Sequence, residues 1–166
     1  MATDSVVHQL AIRVGNRLRD ERLMLATAES CTGGMVATAI TDISGSSGWF
    51  ERGFVTYSNQ AKSEMIGVPA DLIEKHGAVS EPVARAMVEG ALRNSRAQVA
   101  LSVTGVAGPG GGTETKPVGM VCFGWSNRLH TVVETLVLKG DRERVRVQAA
   151  THALRGLLLL LDERER

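Results

Sequence analysis

The stretch TAESCTGGMVATAI, Thr27 to Ile40, decides how this chain is read. It sets Ser30, Cys31 and Thr32 side by side, follows them with Gly33 and Gly34, and then resumes an apolar pattern. A short strand over Leu23 to Thr27 turning into a helix from Thr32 to about Ile43 accounts for the pattern. Two glycines in the first turn of a helix are poor scaffolding, because each costs about 1 kcal/mol relative to alanine. They make sense where something must approach the backbone closely. A helix N-terminus with free N–H groups and a positive dipole end would then face an anion or a developing oxyanion. The alternative is that Ser30 or Thr32 simply caps the helix.

Working outward, apolar residues recur four apart at Val6, Leu10, Val14 and Leu18, the face of an opening amphipathic helix. After the loop SGSSG, the segment GWFERGFVTYS reads as a strand. Three helices follow in NQAKSEMIGV, PADLIEKHG and SEPVARAMVEGALRNSR, punctuated by Gly67, Pro69, Gly77 and the cap Ser80. AQVALSVTG, VGMVCFGWS and HTVVETLVLKG read as strands, and a helix from about Asp141 to Leu161 closes the chain. This alternation predicts one domain over residues 1–166, an α/β/α three-layer sandwich with a mixed, partly antiparallel central sheet. Ligands in such folds sit beyond the strand ends.

The chain has 166 residues, 43% hydrophobic and 22% charged, which suits a globular domain with a sizeable core. Nineteen Lys+Arg balance eighteen Asp+Glu, so the overall charge argues for neither nucleic acid nor an anionic membrane surface as a partner. Two cysteines, Cys31 and Cys122, form neither a disulfide framework nor a zinc pattern. The N-terminal segment lacks the apolar core of a signal peptide, and LLLLL at Leu157 to Leu161 is too short to span a bilayer, so a cytoplasmic protein is expected.

Three further segments carry possible chemistry. The loop TGVAGPGGGTETKPVG, Thr104 to Gly119, fails as a P-loop, because Thr115 precedes Lys116 and Pro117 follows it. It also fails the dinucleotide fingerprint, since Thr113 stands where the third glycine belongs. What remains is either an anion nest of backbone N–H groups or a flexible connection. In FVTYSNQAK, a cap at Ser58 or Asn59 places Lys62 near a helix start, where dipole and burial both lower an amine's pKa toward that of a base; the alternative is a solvated surface lysine. In KGDRERVRVQAA, Asp141 caps the last helix while Arg142 and Arg146 share a face, suited to a phosphate or to surface carboxylates. Of the histidines, His8 and His152 read as helix-surface residues and only His76, in a loop, is kept in reserve. Cys31 reads as either a nucleophile or a small buried residue, and Cys122 as core.

Taken together, TAESCTGG, GFVTYSNQAK, HGAVSEPVA, VTGVAGPGGGTETKPVG and GDRERVR resemble the C-terminal domain of the competence/damage-inducible protein CinA, the nicotinamide-nucleotide amidohydrolase (NMN deamidase) family, over nearly the whole chain. The resemblance implies hydrolysis of the carboxamide of nicotinamide mononucleotide to nicotinic acid mononucleotide and ammonia, in pyridine-nucleotide recycling, without cofactor or metal. It assigns Ser30 as nucleophile, Lys62 as base and Tyr57 as a proton relay or a support for the lysine. Backbone N–H groups near the helix start would hold the oxyanion. Thr32, Gly33 and Gly34 would border the substrate, Thr104, Gly105, Gly108, Gly110 and Gly111 would line the nucleotide pocket, and Arg142 or Arg146 would bind the 5′-phosphate. The chain looks like the family's stand-alone form, lacking the larger N-terminal domain of many members. The leucine-rich last helix suits the core or a homo-oligomer interface. The rival reading is a nucleotide-binding regulatory module of the same fold without turnover.

Overall fold

A computed structural model describes residues 5–164. Six helices and five strands follow the order α1 Val6–Glu21, β1 Leu25–Glu29, α2 Met35–Thr41, β2 Phe50–Val55, α3 Asn59–Ile66, α4 Ala70–His76, α5 Glu81–Arg93, β3 Val99–Gly105, β4 Met120–Ser126, β5 Thr131–Val137 and α6 Arg142–Arg164. The strands form one sheet in the order β2-β1-β3-β4-β5. β1 pairs in parallel with both β2 and β3, whereas β4 and β5 are antiparallel to their neighbours. The predicted sandwich with a mixed sheet is therefore present.

Strand alternation explains how the two faces differ. Leu25 on β1 and Val99, Leu101 and Val103 on β3 point into a core of large side chains closed by α1, α2 and α6. Ala26, Ala28 and Ala100 point the other way, into a second core shared with α3, α4 and α5. Small side chains on this second face let α5 lie close to the sheet. A Cβ added at Gly124 would stand 2.9 Å from the Ala84 carbonyl, and Ser102 Oγ donates to that same carbonyl at 2.7 Å. Leu157, Leu158, Leu160 and Leu161 of α6 are buried while Leu159 is 60% exposed, so the leucine run completes the first core.

Two local expectations shift. Val6 is 61% exposed, and Val7 joins Leu10, Val14 and Leu18 inside. A strict spacing of four drifts around a helix of about 3.6 residues per turn, so the first member of the row rotates outward. β1 begins and ends two residues later than the pattern suggested, running through Glu29. The following helix starts only at Met35, after a turn in which Gly33 and Gly34 take φ of 60° and 102°. The two glycines thus serve the left-handed backbone of the turn rather than a helical turn.

α3 and α5 cross at Gly90, where an added Cβ would stand 2.0 Å from the carbonyl oxygen of Ile66. In an ordinary helix interior, Gly→Ala stabilises by up to about 1 kcal/mol. Here the sign should invert: Gly90→Ala should destabilise by about 1–3 kcal/mol through overpacking, measured by urea denaturation. Unchanged or raised stability would show that the crossing is loose.

Candidate functional site

The site grows out of the carboxyl ends of the three parallel strands. The chain leaves β1 for β2 on one side and later returns to β3 on the other, which is the switch point where α/β sheets open a crevice. Ser30 directly follows β1 and its N–H donates to Val103 O at 2.9 Å, extending the pairing with β3. Alternation carries Glu29 to the α2 side and Ser30 to the α3 side.

On that side Lys62 rises from α3, whose cap is Ser58, with Ala61 N–H donating to its Oγ at 3.0 Å. Lys62 is only 1% exposed. Its Nζ lies 3.1 Å from Ser30 Oγ, 3.0 Å from Thr56 O and 3.3 Å from Tyr57 O. Ser30 Oγ also reaches Tyr57 O at 3.4 Å. Among the described residues no carboxylate pairs with this amine. Burial therefore pushes the Lys62 pKa below its ordinary value, against a smaller opposing influence from Cys31. Three oxygens suit either protonation state. An ammonium donates to all three, whereas a neutral amine donates to the two carbonyls and turns its lone pair toward the serine hydroxyl.

Cys31 responds to the same burial in the opposite sense. Its thiol is pushed up to about 12, with desolvation the main cause and the charge of Glu29 adding to it. It stays protonated at neutral pH and is a poor nucleophile there. Glu29 is a residue that the sequence reading missed. It is 1% exposed and accepts from Thr32 Oγ1 at 2.6 Å, Val36 N–H at 2.8 Å and Ala37 N–H at 3.0 Å. This strand residue caps α2 from a distance, since the N-cap position itself is Gly34 with no side chain to offer. Its signal was a lone acid between small residues just before Ser30.

These bonds revise several expectations. Thr32 faces Glu29 under the turn rather than a ligand, and neither it nor Gly33 nor Gly34 borders the pocket. Of the N–H groups near the helix start, Gly33 donates to Ser30 O, Met35 to Thr32 O, and Val36 and Ala37 to Glu29. Tyr57 is 62% exposed and its hydroxyl lies 3.3 Å from Arg142 Nη2, away from the lysine. Thr56, just before it, turns inward and is fully buried. What Tyr57 gives Lys62 is therefore its carbonyl.

A pocket of about 310 Å³ opens above Ser30 and Lys62. Cys31, Tyr57, Thr104, Gly105, Gly108, Gly110, Gly111 and Arg142 share its lining with Asn59, Ala78 and Val79. Thr104 Oγ1 donates to Ala78 O at 2.9 Å, tying β3 to the loop before α5. The glycine loop is fastened by Arg142 Nη1 on Gly108 O at 2.7 Å and by the Lys116 ammonium on His76 O. The lining contains no carboxylate, so its two charged groups, Lys62 inside and Arg142 toward the mouth, are both basic. Arg146, one turn further on α6, does not line the pocket and binds backbone carbonyls instead. A wider hollow beside Lys139, Asp141 and Arg144 has only exposed lining residues and no buried polar group.

His76 stays outside the pocket. His152 is half-buried rather than superficial: it packs edge-on against Phe123 and Trp125 and pairs with Glu134. Among the described residues, no group of three or more His, Cys, Asp or Glu could hold a metal ion, and no helix is long and apolar enough to cross a membrane.

At the ends of the parallel strands of this α/β/α domain, a buried Ser–Lys pair thus lies in one pocket with a glycine loop and an arginine. The chain belongs to the CinA C-terminal domain family, whose model matches residues 7–161. It is 53% identical over 156 residues to the nicotinamide-nucleotide amidohydrolase PncC of Escherichia coli K12, covering 93% of this chain and 94% of that one. It is 56% identical over 162 residues to a protein of Symbiobacterium thermophilum named for competence-damage induction, of whose length it spans 38%. The crystal structure of the competence/damage inducible protein CihA from Agrobacterium tumefaciens superposes with a TM-score of 0.93 at 40% identity, covering 98% of this chain and 99% of that one.

The lowered pKa of Lys62 makes a stability prediction. Between its folded pKa and the ordinary lysine value near 10.5 the unfolded chain binds more protons, so stability should rise with pH through that window. Lys62→Met should flatten the rise, as followed by denaturant titration at stepped pH. An identical slope in both proteins would show that the amine is not perturbed.

Proposed function

We propose that this protein hydrolyses the carboxamide of nicotinamide mononucleotide, releasing ammonia and nicotinic acid mononucleotide, with Ser30 as nucleophile and Lys62 as base. The observation that carries the reading is the 3.1 Å contact between Ser30 Oγ and a buried amine that lacks a carboxylate partner. The name of the Escherichia coli relative supplies the substrate.

In the neutral form, Lys62 takes the proton of Ser30 as Oγ attacks the carboxamide carbon. The tetrahedral species collapses with cleavage of the C–N bond, and the Lys62 ammonium returns the proton to the departing amine, which leaves as ammonia. Water, deprotonated by the same lysine, then splits the ester and frees the carboxylate product and Ser30. Thr56 O and Tyr57 O keep the amine in place throughout, because both accept from it in either charge state. Arg142 meets the 5′-phosphate at the mouth, exchanging its bonds to Gly108 O and the Tyr57 hydroxyl for phosphate oxygens.

Ammonia release from nicotinamide mononucleotide by the purified protein tests the reading directly. Ser30→Ala and Lys62→Ala should each lower kcat by at least about 10³-fold, while Cys31→Ala should retain substantial activity. The wild-type rate should fall as pH drops through the lowered pKa of Lys62, since the protonated amine is no base. Well-folded wild type that binds the nucleotide yet releases no ammonia, or a Ser30→Ala variant of undiminished rate, would sink the proposal.

Tyr57 separates two versions of this mechanism. Because its carbonyl and not its phenol touches Lys62, Tyr57→Phe should keep kcat within about threefold, far from the 10²-fold or more typical of losing an acid–base group. A loss as large as that of Lys62→Ala would restore the phenol to the proton path.

A further inference from the structure

Ser58 caps α3, which leaves the other candidate for that task, Asn59, without it. Asn59 opens the helix and shares the pocket lining with Ser30 and Lys62. The hydroxyl, amine and guanidinium groups of the lining are engaged: Ser30 and Lys62 with each other, Thr104 with Ala78 O, and Arg142 with Gly108 O and the Tyr57 hydroxyl. Among the described residues, the side-chain amide of Asn59 has no hydrogen-bond partner. The residue also borders the open groove along α3 and α4, so it forms part of the pocket's rim.

Its place on the helix sets it beside the base. Residues three apart share a helix face, with about 5–6 Å between Cβ atoms, and long helical side chains lean toward the N-terminus. Lys62 follows this rule, for its Nζ reaches back to the carbonyls of Thr56 and Tyr57, ahead of the helix. The lysine stem therefore runs past Asn59. Lys62 is buried and Asn59 is exposed, so the side-chain amide stands on the open side of the stem, where a substrate enters.

A primary carboxamide brings one carbonyl and two N–H donors. In the reaction proposed above, its carbon must meet Ser30 Oγ while its nitrogen faces the Lys62 ammonium that protonates it. An acceptor for one N–H sets that orientation. A carboxylate would accept strongly, but beside this amine it would hold the ammonium form and remove the base. The side-chain oxygen of an asparagine accepts without carrying charge. We propose that Asn59 is a specificity-determining residue, whose side-chain oxygen accepts an N–H of the scissile carboxamide and directs its nitrogen to Lys62. This deepens the amide-hydrolysis reading and rests on it. As Oγ bonds to the carbon, the nitrogen becomes pyramidal: one N–H stays on Asn59, and the lone pair turns to Lys62 and takes its proton. The C–N bond then breaks with its electron pair on nitrogen, and ammonia leaves.

The test compares wild type, Asn59→Ala and Asn59→Asp on nicotinamide mononucleotide and on the methyl ester of nicotinic acid mononucleotide. The ester keeps ring, ribose and phosphate but has no N–H at the reacting carbon. Asn59→Ala should lower kcat/KM about tenfold to a hundredfold for the amide and leave the ester within about threefold of wild type. Asn59→Asp puts an anion beside the amine and favours its protonated form, so the acid limb of the pH–rate profile on the amide should move up by about one pH unit or more. Asn59 is exposed and aspartate suits the first turn of a helix, so both variants should fold, as circular dichroism would report. Equal losses on amide and ester would assign Asn59 to the ribose or the phosphate and overturn the inference. An acid limb that stays in place in Asn59→Asp would overturn it too, because the side chain would then be remote from Lys62. Wild type that releases no ammonia from nicotinamide mononucleotide overturns the amide-hydrolysis reading itself and this inference with it, whereas an active wild type with indifferent Asn59 variants overturns this inference alone.

Discussion

The rest of the site depends on one buried amine. Lys62 is enclosed to 1% exposure with three oxygens around its nitrogen and, among the described residues, no carboxylate partner, so desolvation outweighs the opposing influence of Cys31. A carboxylate in the same place would hold the ammonium form and remove the base. The fold brings this amine to the serine by several means at once. Small side chains on the second face of the sheet let α5 sit close, Gly90 lets α3 cross it closely, and α3 carries the lysine in its first turns.

The nearest buried acid is one residue from the serine, and strand alternation keeps it apart. Glu29 and Ser30 leave the end of β1 on opposite faces, so the carboxylate reaches the N–H groups of α2 while the hydroxyl reaches Lys62. A shift of one residue in this strand would exchange the two side chains and place an anion against the amine. Register in β1 is thus as much a condition of the proposed chemistry as the identity of either residue. Parallel pairing on both sides of β1 holds that register, from Leu25 opposite Val99 to Glu29 opposite Val103 and Val55.

Much of this was legible in the sequence because it rests on local rules. Ser80 and Asp141 cap α5 and α6 as their positions suggested, and of the two candidates for α3 it is Ser58 that caps. Apolar segments between turn residues located the strands and the five sequence blocks located the loops around the pocket. The parts that were not legible are those in which tertiary structure overrides a local preference. Glu29 reads as loop because polar residues seldom end a fully buried strand, yet it finds its partners in the turn and helix that follow, while Ser30 meets Lys62 only across the fold. The phenol of Tyr57 and the two arginines of α6 are similar cases: spacing placed them near the site and left their directions undetermined. Arg142 and Arg146 differ by one turn, and only the position of the turn after Ser30 decides which of them meets the pocket.

Burial also selects between the two adjacent nucleophiles. A cysteine is intrinsically the stronger one, but only as thiolate, and the enclosure that lowers the lysine pKa raises that of Cys31 to about 12. Both shifts disfavour charge, on the amine and on the thiol alike. Serine needs no charged ground state, since its proton leaves only as the bond to carbon forms, and it is Ser30 whose oxygen lies 3.1 Å from the amine. Under the proposed mechanism, a pocket whose lining holds no carboxylate therefore suits the serine–lysine pair better than the intrinsically more reactive sulfur at its side.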